Sequence, residues 1–217
     1  NDMSARKYAT FLLSLTEHQT GSEERYGRLS MWRAYGGKTN VAIVLNRTSF
    51  GGDEPEGVLV GSPVLYADQE GFQKEFERLI ANLERHLNKL KDWDISRLAD
   101  QLVNVFNMAV LSTKHPGFSE ERELRVLYAP WIVSSNEIED QQVQIDGRPQ
   151  IVKVVQMKND STILSKDDED REIIKKIIIG PTEAPYVLYE GFVKKLQSLG
   201  FEDAEQRVVV SNIPIRR

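Results

Sequence analysis

Glu121 and Glu123 flank Arg122 within the stretch KHPGFSEERELRVLYAP, directly before an apolar, strand-like run. If the chain extends from Arg122 to Leu127, residues two apart project from one face of a sheet, and both carboxylates stand together at its mouth. Carboxylates that close repel, so one of them is expected to titrate high, as proton transfer requires. The alternative is a solvated acidic rim balanced by Arg122 and Arg125. Ser14 and Thr16 end the apolar run KYATFLLSLT with the same spacing of two. Hydroxyls there could hold a ligand or satisfy local backbone groups. Trp32, Arg33 and Tyr35 form a compact aromatic and cationic group before Gly36-Gly37. Trp32 reads as a core anchor, whereas Arg33 could bind a phosphate bidentately.

Other chemistries find little support. The three histidines, His18, His86 and His115, are scattered, and no pair has the spacing of a helical metal site, so no metal is expected. There is no cysteine, which removes disulfides, thiolate metal sites and a cysteine nucleophile, and which fits a reducing cytosol. Neither a Walker-type phosphate loop nor a strand-to-helix glycine fingerprint for a dinucleotide is present. A net charge of -5 gives no general attraction to nucleic acid. No apolar run is long enough to span a bilayer, and no signal-peptide pattern opens the chain, so a cytoplasmic protein with no membrane contact is expected. The chain opens on Asn1-Asp2-Met3 and soon reaches the strand-like FLLSLT, which suggests that a further segment precedes it.

The 217 residues suit one α+β domain, a mostly antiparallel split sheet with a helical insertion. KYATFLLSLT predicts a buried strand, RLSMWRAYGG a short helix stopped by glycine, and VAIVLN a second buried strand. GGDEPEG has the composition of a hairpin loop, and VLVGSPVLYAD reads as strand. Phe72, Phe76, Leu79, Ile80, Leu83, Leu87 and Leu90 recur at helical spacing, as do Ile95, Leu98, Leu102, Val105, Phe106 and Val110. These two amphipathic helices, joined by a turn whose Asp94 can cap the second, predict a hairpin inserted over 69–113. ELRVLYA and IVKVVQM follow as strands joined by a segment with an Asp146-Gly147 turn. STILSKDDEDRE is an acidic connection, IIKKIIIGP a strand, APYVLYEGFVKKLQSLG a helix stopped at Gly200, and QRVVVSNIPIR the last strand.

SLTEH, LSMWRAYGGKTNVAIVL, KHPGFSEERELRVLY, IIIGP and VVVSNIPIR, in this order, resemble the bacterial family known as domain of unknown function 2971, along nearly the whole chain. That family carries no assigned activity. A strand ending in Ser and Thr, a helix, and a later Glu-x-Glu at a strand mouth are also similar to the ADP-ribosyltransferase fold, a split mixed sheet that binds NAD in its cleft. Ser14-Leu15-Thr16 would then match that fold's Ser-Thr-Ser strand, with Leu15 in the middle place, and Glu121-Arg122-Glu123 its Glu-x-Glu. The early Arg or His of that fold has no counterpart ahead of Ser14.

The resemblance implies NAD as substrate, with no metal. Glu123 would bind the nicotinamide ribose and stabilise an oxocarbenium-like centre, and Glu121 would act as general base. Ser14, Thr16, Arg33, Tyr35 and Arg125 would line the binding side. It implies ADP-ribosyl transfer or NAD cleavage by an intracellular toxin-like or phage-defence effector. The rival expectation is a non-catalytic module that docks a protein partner or a second copy through the hairpin between Phe72 and Val110.

Overall fold

The computed structural model describes residues 9–37, 39–46, 58–90, 94–156 and 173–214. The glycine-rich GGDEPEG and the acidic connection lie outside them. The described chain is a mixed α+β fold built around two three-stranded sheets.

In the first sheet, β6 (Glu123–Tyr128) lies between β1 (Phe11–Thr16) and β3 (Val60–Pro63), antiparallel to both. The central strand takes the burial: Val126, Leu127 and Tyr128 are core residues. β1 is an edge strand, so Leu12 and Leu13 remain exposed where a fully buried strand was expected. Val126 packs with Leu15, Leu45, Leu59, Val155 and Ile173, which joins this sheet to the second.

The second sheet places β9 (Ile174–Ile179) between β2 (Val41–Leu45), antiparallel, and β10 (Val208–Val210), parallel. Ile177, Ile179 and Val208 pack against Val193 and Leu196 of the helix Pro185–Ser198 and against Ala204 of a short helix Ala204–Arg207. Burying each of these Ile, Val and Leu side chains contributes about 1.5–3 kcal/mol. Among its described residues VVVSNIPIR holds only this short strand, because Asn212 turns left-handed at φ 54 two residues after β10 ends.

Two short helices, α1 (Ser22–Tyr26) and α2 (Leu29–Tyr35), connect β1 to β2. α2 is the bridge between the sheets. The Trp32 indole lies against Gly180, so close that a Cβ there would stand 2.9 Å from the ring, and its Nε1 donates to the Tyr26 carbonyl at 2.9 Å. Gly180 N–H donates to the Asn40 carbonyl at 2.8 Å, and the Ser211 N–H to that of Ile179 at 2.8 Å. The motifs SMWRAYG, IIIGP and VVVSN therefore meet at one end of the second sheet.

The helical hairpin leaves from β4 (Leu65–Tyr66) and returns through β5 (Thr113–Lys114), and these two short strands pair in parallel at its base. α3 (Gln69–Arg85) starts at Asp68, whose carboxylate accepts from Gly71 N–H at 2.8 Å. A single turn, α4 (Leu87–Leu90), follows, and α5 (Ile95–Leu111) starts after Asp94, which accepts from Ser96 N–H at 2.9 Å. Phe76 and Phe106 meet edge to face across the hairpin with ring centroids 5.7 Å apart.

The apolar stripe of α5 packs only in part, through the half-buried Leu98 and the Phe106 contact with Phe76. Asn104, Asn107, Met108, Ala109 and Leu111 are half-buried, whereas Leu102, Val105, Phe106 and Val110 are exposed and Ile95 is 85% exposed. The segment between β6 and IVKVVQM contains a further strand. β7 (Ile138–Ile145) pairs with β8 (Arg148–Val155) over a two-residue turn in which Asp146 and Gly147 both have positive φ, 49 and 74.

Candidate functional site

Strand register assembles the site. In the antiparallel pair β1–β6, Thr16 stands opposite Glu123 and Ser14 opposite Arg125, so two hydroxyls and two charges separated by more than a hundred residues share one face. The Ser14 hydroxyl hydrogen-bonds the Glu123 carboxylate. The Thr16 hydroxyl donates instead to the backbone carbonyl of Glu121. Of the two uses open to these hydroxyls, Ser14 takes the one that touches a candidate catalytic group, and Thr16 takes the local one.

Glu121 and Glu123 come together by a different route from the one their spacing suggested. Glu121 ends a 3-10 turn, Pro116–Glu121, and only Glu123 belongs to the strand. Between them Arg122 is left-handed, with φ 44, a conformation that disfavours a residue with a Cβ. This reversal sends the Arg122 side chain away to Glu23, whose Oε2 accepts from its Nη2 at 2.6 Å. Both carboxylates then reach Lys114: its Nζ pairs with Glu121 Oε2, and lies 3.2 Å from Glu123 Oε2 and 5.0 Å from the centre of the Phe118 ring.

Glu123 is only 7% exposed. Its Oε1 accepts from Arg125 Nε at 2.8 Å, and its N–H donates to the Tyr66 hydroxyl at 2.7 Å. Arg125 is itself fixed by donating through Nη1 to the Leu111 carbonyl at the end of α5, which ties the hairpin to the site. Tyr35 donates to Glu121 Oε1 at 2.7 Å from the last turn of α2. Two carboxylates and two cations thus form a closed, hydrogen-bonded group, the arrangement that makes a desolvated charge tolerable.

The electrostatics correct one expectation. Burial pushes Glu123 toward the protonated form, but hydrogen bonds from Arg125, Ser14 and Lys114 outweigh it and hold the carboxyl down at about 2. Paired cations, which spacing along the chain does not reveal, reverse the predicted rise. Tyr35 is raised above its ordinary value, first by its hydrogen bond to Glu121 and then by burial, so it keeps its proton and acts as a donor. The hydrogen bond to Glu121 likewise raises Lys114.

A depressed carboxyl stabilises the fold at pH values above the unfolded-state pKa, and that contribution is lost as pH falls toward the folded value. We therefore expect Glu123 to contribute up to about 3 kcal/mol near neutrality, lost between roughly pH 4.5 and 2. Urea unfolding at pH 6 and pH 3 should show a larger loss for the native chain than for Glu123→Gln. Equal losses would show that Glu123 is not proton-linked to folding.

Of the residues singled out from sequence, Ser14, Thr16, Tyr35, Glu121, Glu123 and Arg125 converge here. Arg33 does not: it is exposed on α2, and among the described residues no hydrogen bond or ion pair joins it to the group. Its neighbour Tyr35 faces the site because residues two apart on a helix do not share a face. Lys114 and Tyr66 were not anticipated. Lys114 stands in the same motif as the glutamates, but its contact with them depends on the 3-10 turn, which leaves no periodic signal. Beside the group, an open recess of about 560 Å³ is lined by Arg28, Leu29, Ser30, Ser119, Glu120 and Arg122. Among the described residues, no cluster of three or more His, Asp or Glu side chains could hold a metal ion, and no helix is long and apolar enough to cross a membrane.

No curated protein and no solved structure matches the chain. The segment from α2 through the hairpin to the middle of β6 carries Tyr35, Lys114, Glu121, Glu123 and Arg125, while Ser14 and Thr16 lie outside it. That segment, residues 31–126, matches the family described as a protein of unknown function, DUF2971.

Proposed function

We propose that the protein cleaves the nicotinamide–ribose bond of NAD and transfers the ADP-ribosyl group to an acceptor or to water, through the pair Glu121 and Glu123. The observation that carries this reading is the fixed, ionised Glu123, hydrogen-bonded by Ser14 from the neighbouring strand, with Glu121 held beside it at Lys114. A desolvated anion that cannot take up a proton near neutral pH suits the stabilisation of a developing cation. In the proposed step the C–N bond breaks with its electron pair going to nicotinamide, which leaves neutral. The positive charge develops on the ribose carbon beside Glu123. An acceptor oxygen or nitrogen supplies the electron pair for the new bond, and Glu121 takes its proton. Lys114 must swing from Glu121 to admit that acceptor. An ADP-ribosyltransferase-like arrangement of the sheets and a toxin-like or phage-defence role follow from this reading alone. Nicotinamide release from NAD tests it.

A second reading is favoured by the exposed stripe of α5. A helix that leaves Ile95, Leu102, Val105 and Val110 exposed while Asn104 and Asn107 are half-buried has a surface suited to a second copy of the chain. Leu102→Asp with Val105→Asp is expected to convert a dimer to a monomer by sedimentation, because the charges would be buried in the contact. A native chain that sediments as a monomer at all concentrations would remove this reading.

A further inference from the structure

We infer that the recess between Arg28 and Arg122 is a binding site for a diphosphate group, the part of a nucleotide substrate that lies next to the reacting sugar. The ligand's identity rests on the NAD reading, whereas the site rests on its own geometry. The recess is lined by Arg28, Arg122, Ser30 and Ser119 and opens to solvent, with a volume of about 560 Å³.

Both arginines are held in place before any ligand arrives. Arg28 donates through Nη1 to the Glu120 carbonyl and through Nη2 to the Glu17 carbonyl, with its side chain only 14% exposed. Its Nε is buried without a hydrogen-bond partner, since the Glu23 carboxylate stands 3.6 Å away, beyond bonding distance. Arg122 is directed here by its left-handed backbone, a conformation a folded chain keeps only when its surroundings impose it. Two guanidinium groups share the Glu23 carboxylate, and Glu120, exposed at the recess, is the remaining negative charge of its lining, so an anion is admitted where Glu120 turns to solvent, and paired arginines suit phosphate oxygens.

The position agrees with the proposed reaction. Ser119, Glu120 and Arg122 of the recess belong to the same short stretch of chain as Glu121 and Glu123 of the carboxylate pair, which sets the two features next to each other. Glu120 also lines the recess, and its carboxylate opposes an anion there.

Isothermal titration with inorganic pyrophosphate and with ADP-ribose, on the full chain, tests the site. Pyrophosphate is expected to bind the native protein, about tenfold more weakly after Arg122→Gln through loss of a charge-assisted contact, and severalfold more tightly after Glu120→Gln. Glu120→Gln leaves the Arg122–Glu23 pair intact, so it reports on the site even where Arg122→Gln disturbs folding, which a thermal melt would reveal. ADP-ribose binding more tightly than pyrophosphate supports a nucleotide source, and pyrophosphate binding without ADP-ribose binding overturns it. Absence of pyrophosphate binding, or equal affinity in the native and Glu120→Gln proteins, overturns the site. Nicotinamide release with an unchanged KM for NAD in a folded Arg122→Gln protein would also overturn it while leaving the proposed reaction standing. Pyrophosphate binding without any nicotinamide release supports the recess and removes the reaction.

Discussion

Glu123→Gln is expected to lower nicotinamide release from NAD by at least about a hundredfold, in line with the loss of one preorganised electrostatic group in a desolvated site. Gln keeps the shape of the side chain and can still accept from Arg125 through its remaining oxygen. What it removes is the negative charge that would face the developing cation. The loss should therefore fall on kcat more than on KM. The exchange also leaves Lys114 and Arg125 with a single carboxylate between them, so some stability is lost too, and thermal melts must accompany the kinetics. Ser14→Ala is the milder companion. It removes one hydrogen bond from an intact carboxylate and should reduce release by a smaller factor in the same direction.

Gly36→Ala is expected to destabilise the fold by about 2–4 kcal/mol although Gly36 is exposed at the end of α2. The backbone there is extended, with φ -79, so glycine is not needed for its conformation. Space is the reason. An added Cβ would stand 1.6 Å from Asn40 Oδ1 and 2.3 Å from the Trp32 carbonyl oxygen. Asn40 is buried and donates through Nδ2 to the Pro181 carbonyl at 2.5 Å, so it cannot yield without opening the end of the second sheet. Because α2 also carries Tyr35 to Glu121, the variant should perturb the site as well as the stability. Urea denaturation reads the first effect, and a Gly36→Ala protein as stable as the native one would contradict the packing described for these motifs.

Much of this architecture could be read from local sequence. The glycine stop after Tyr35, the strand before Ser14, the Asp94 cap and the Asp146-Gly147 turn are each set by residues within a few positions of one another. β7 escaped because IEDQQVQI is largely polar, so the strand has no apolar alternation to announce it. The outward stripe of α5 escaped for the opposite reason: its periodicity is strong, but periodicity does not say which way a helix faces. The spacing of Glu121 and Glu123 anticipated that the two carboxylates lie together. Their charge state depended on Lys114 and Arg125, and the turn that brings Lys114 back depends on Pro116 and a left-handed Arg122, neither of which a spacing argument contains.

The most direct measurement is a time course of nicotinamide release from NAD by the native chain, beside Glu123→Gln shown to be folded. Release by the native protein that disappears in the variant is the predicted result. Release at equal rates from both proteins, or none from either, would contradict the assignment of Glu123 to the chemistry.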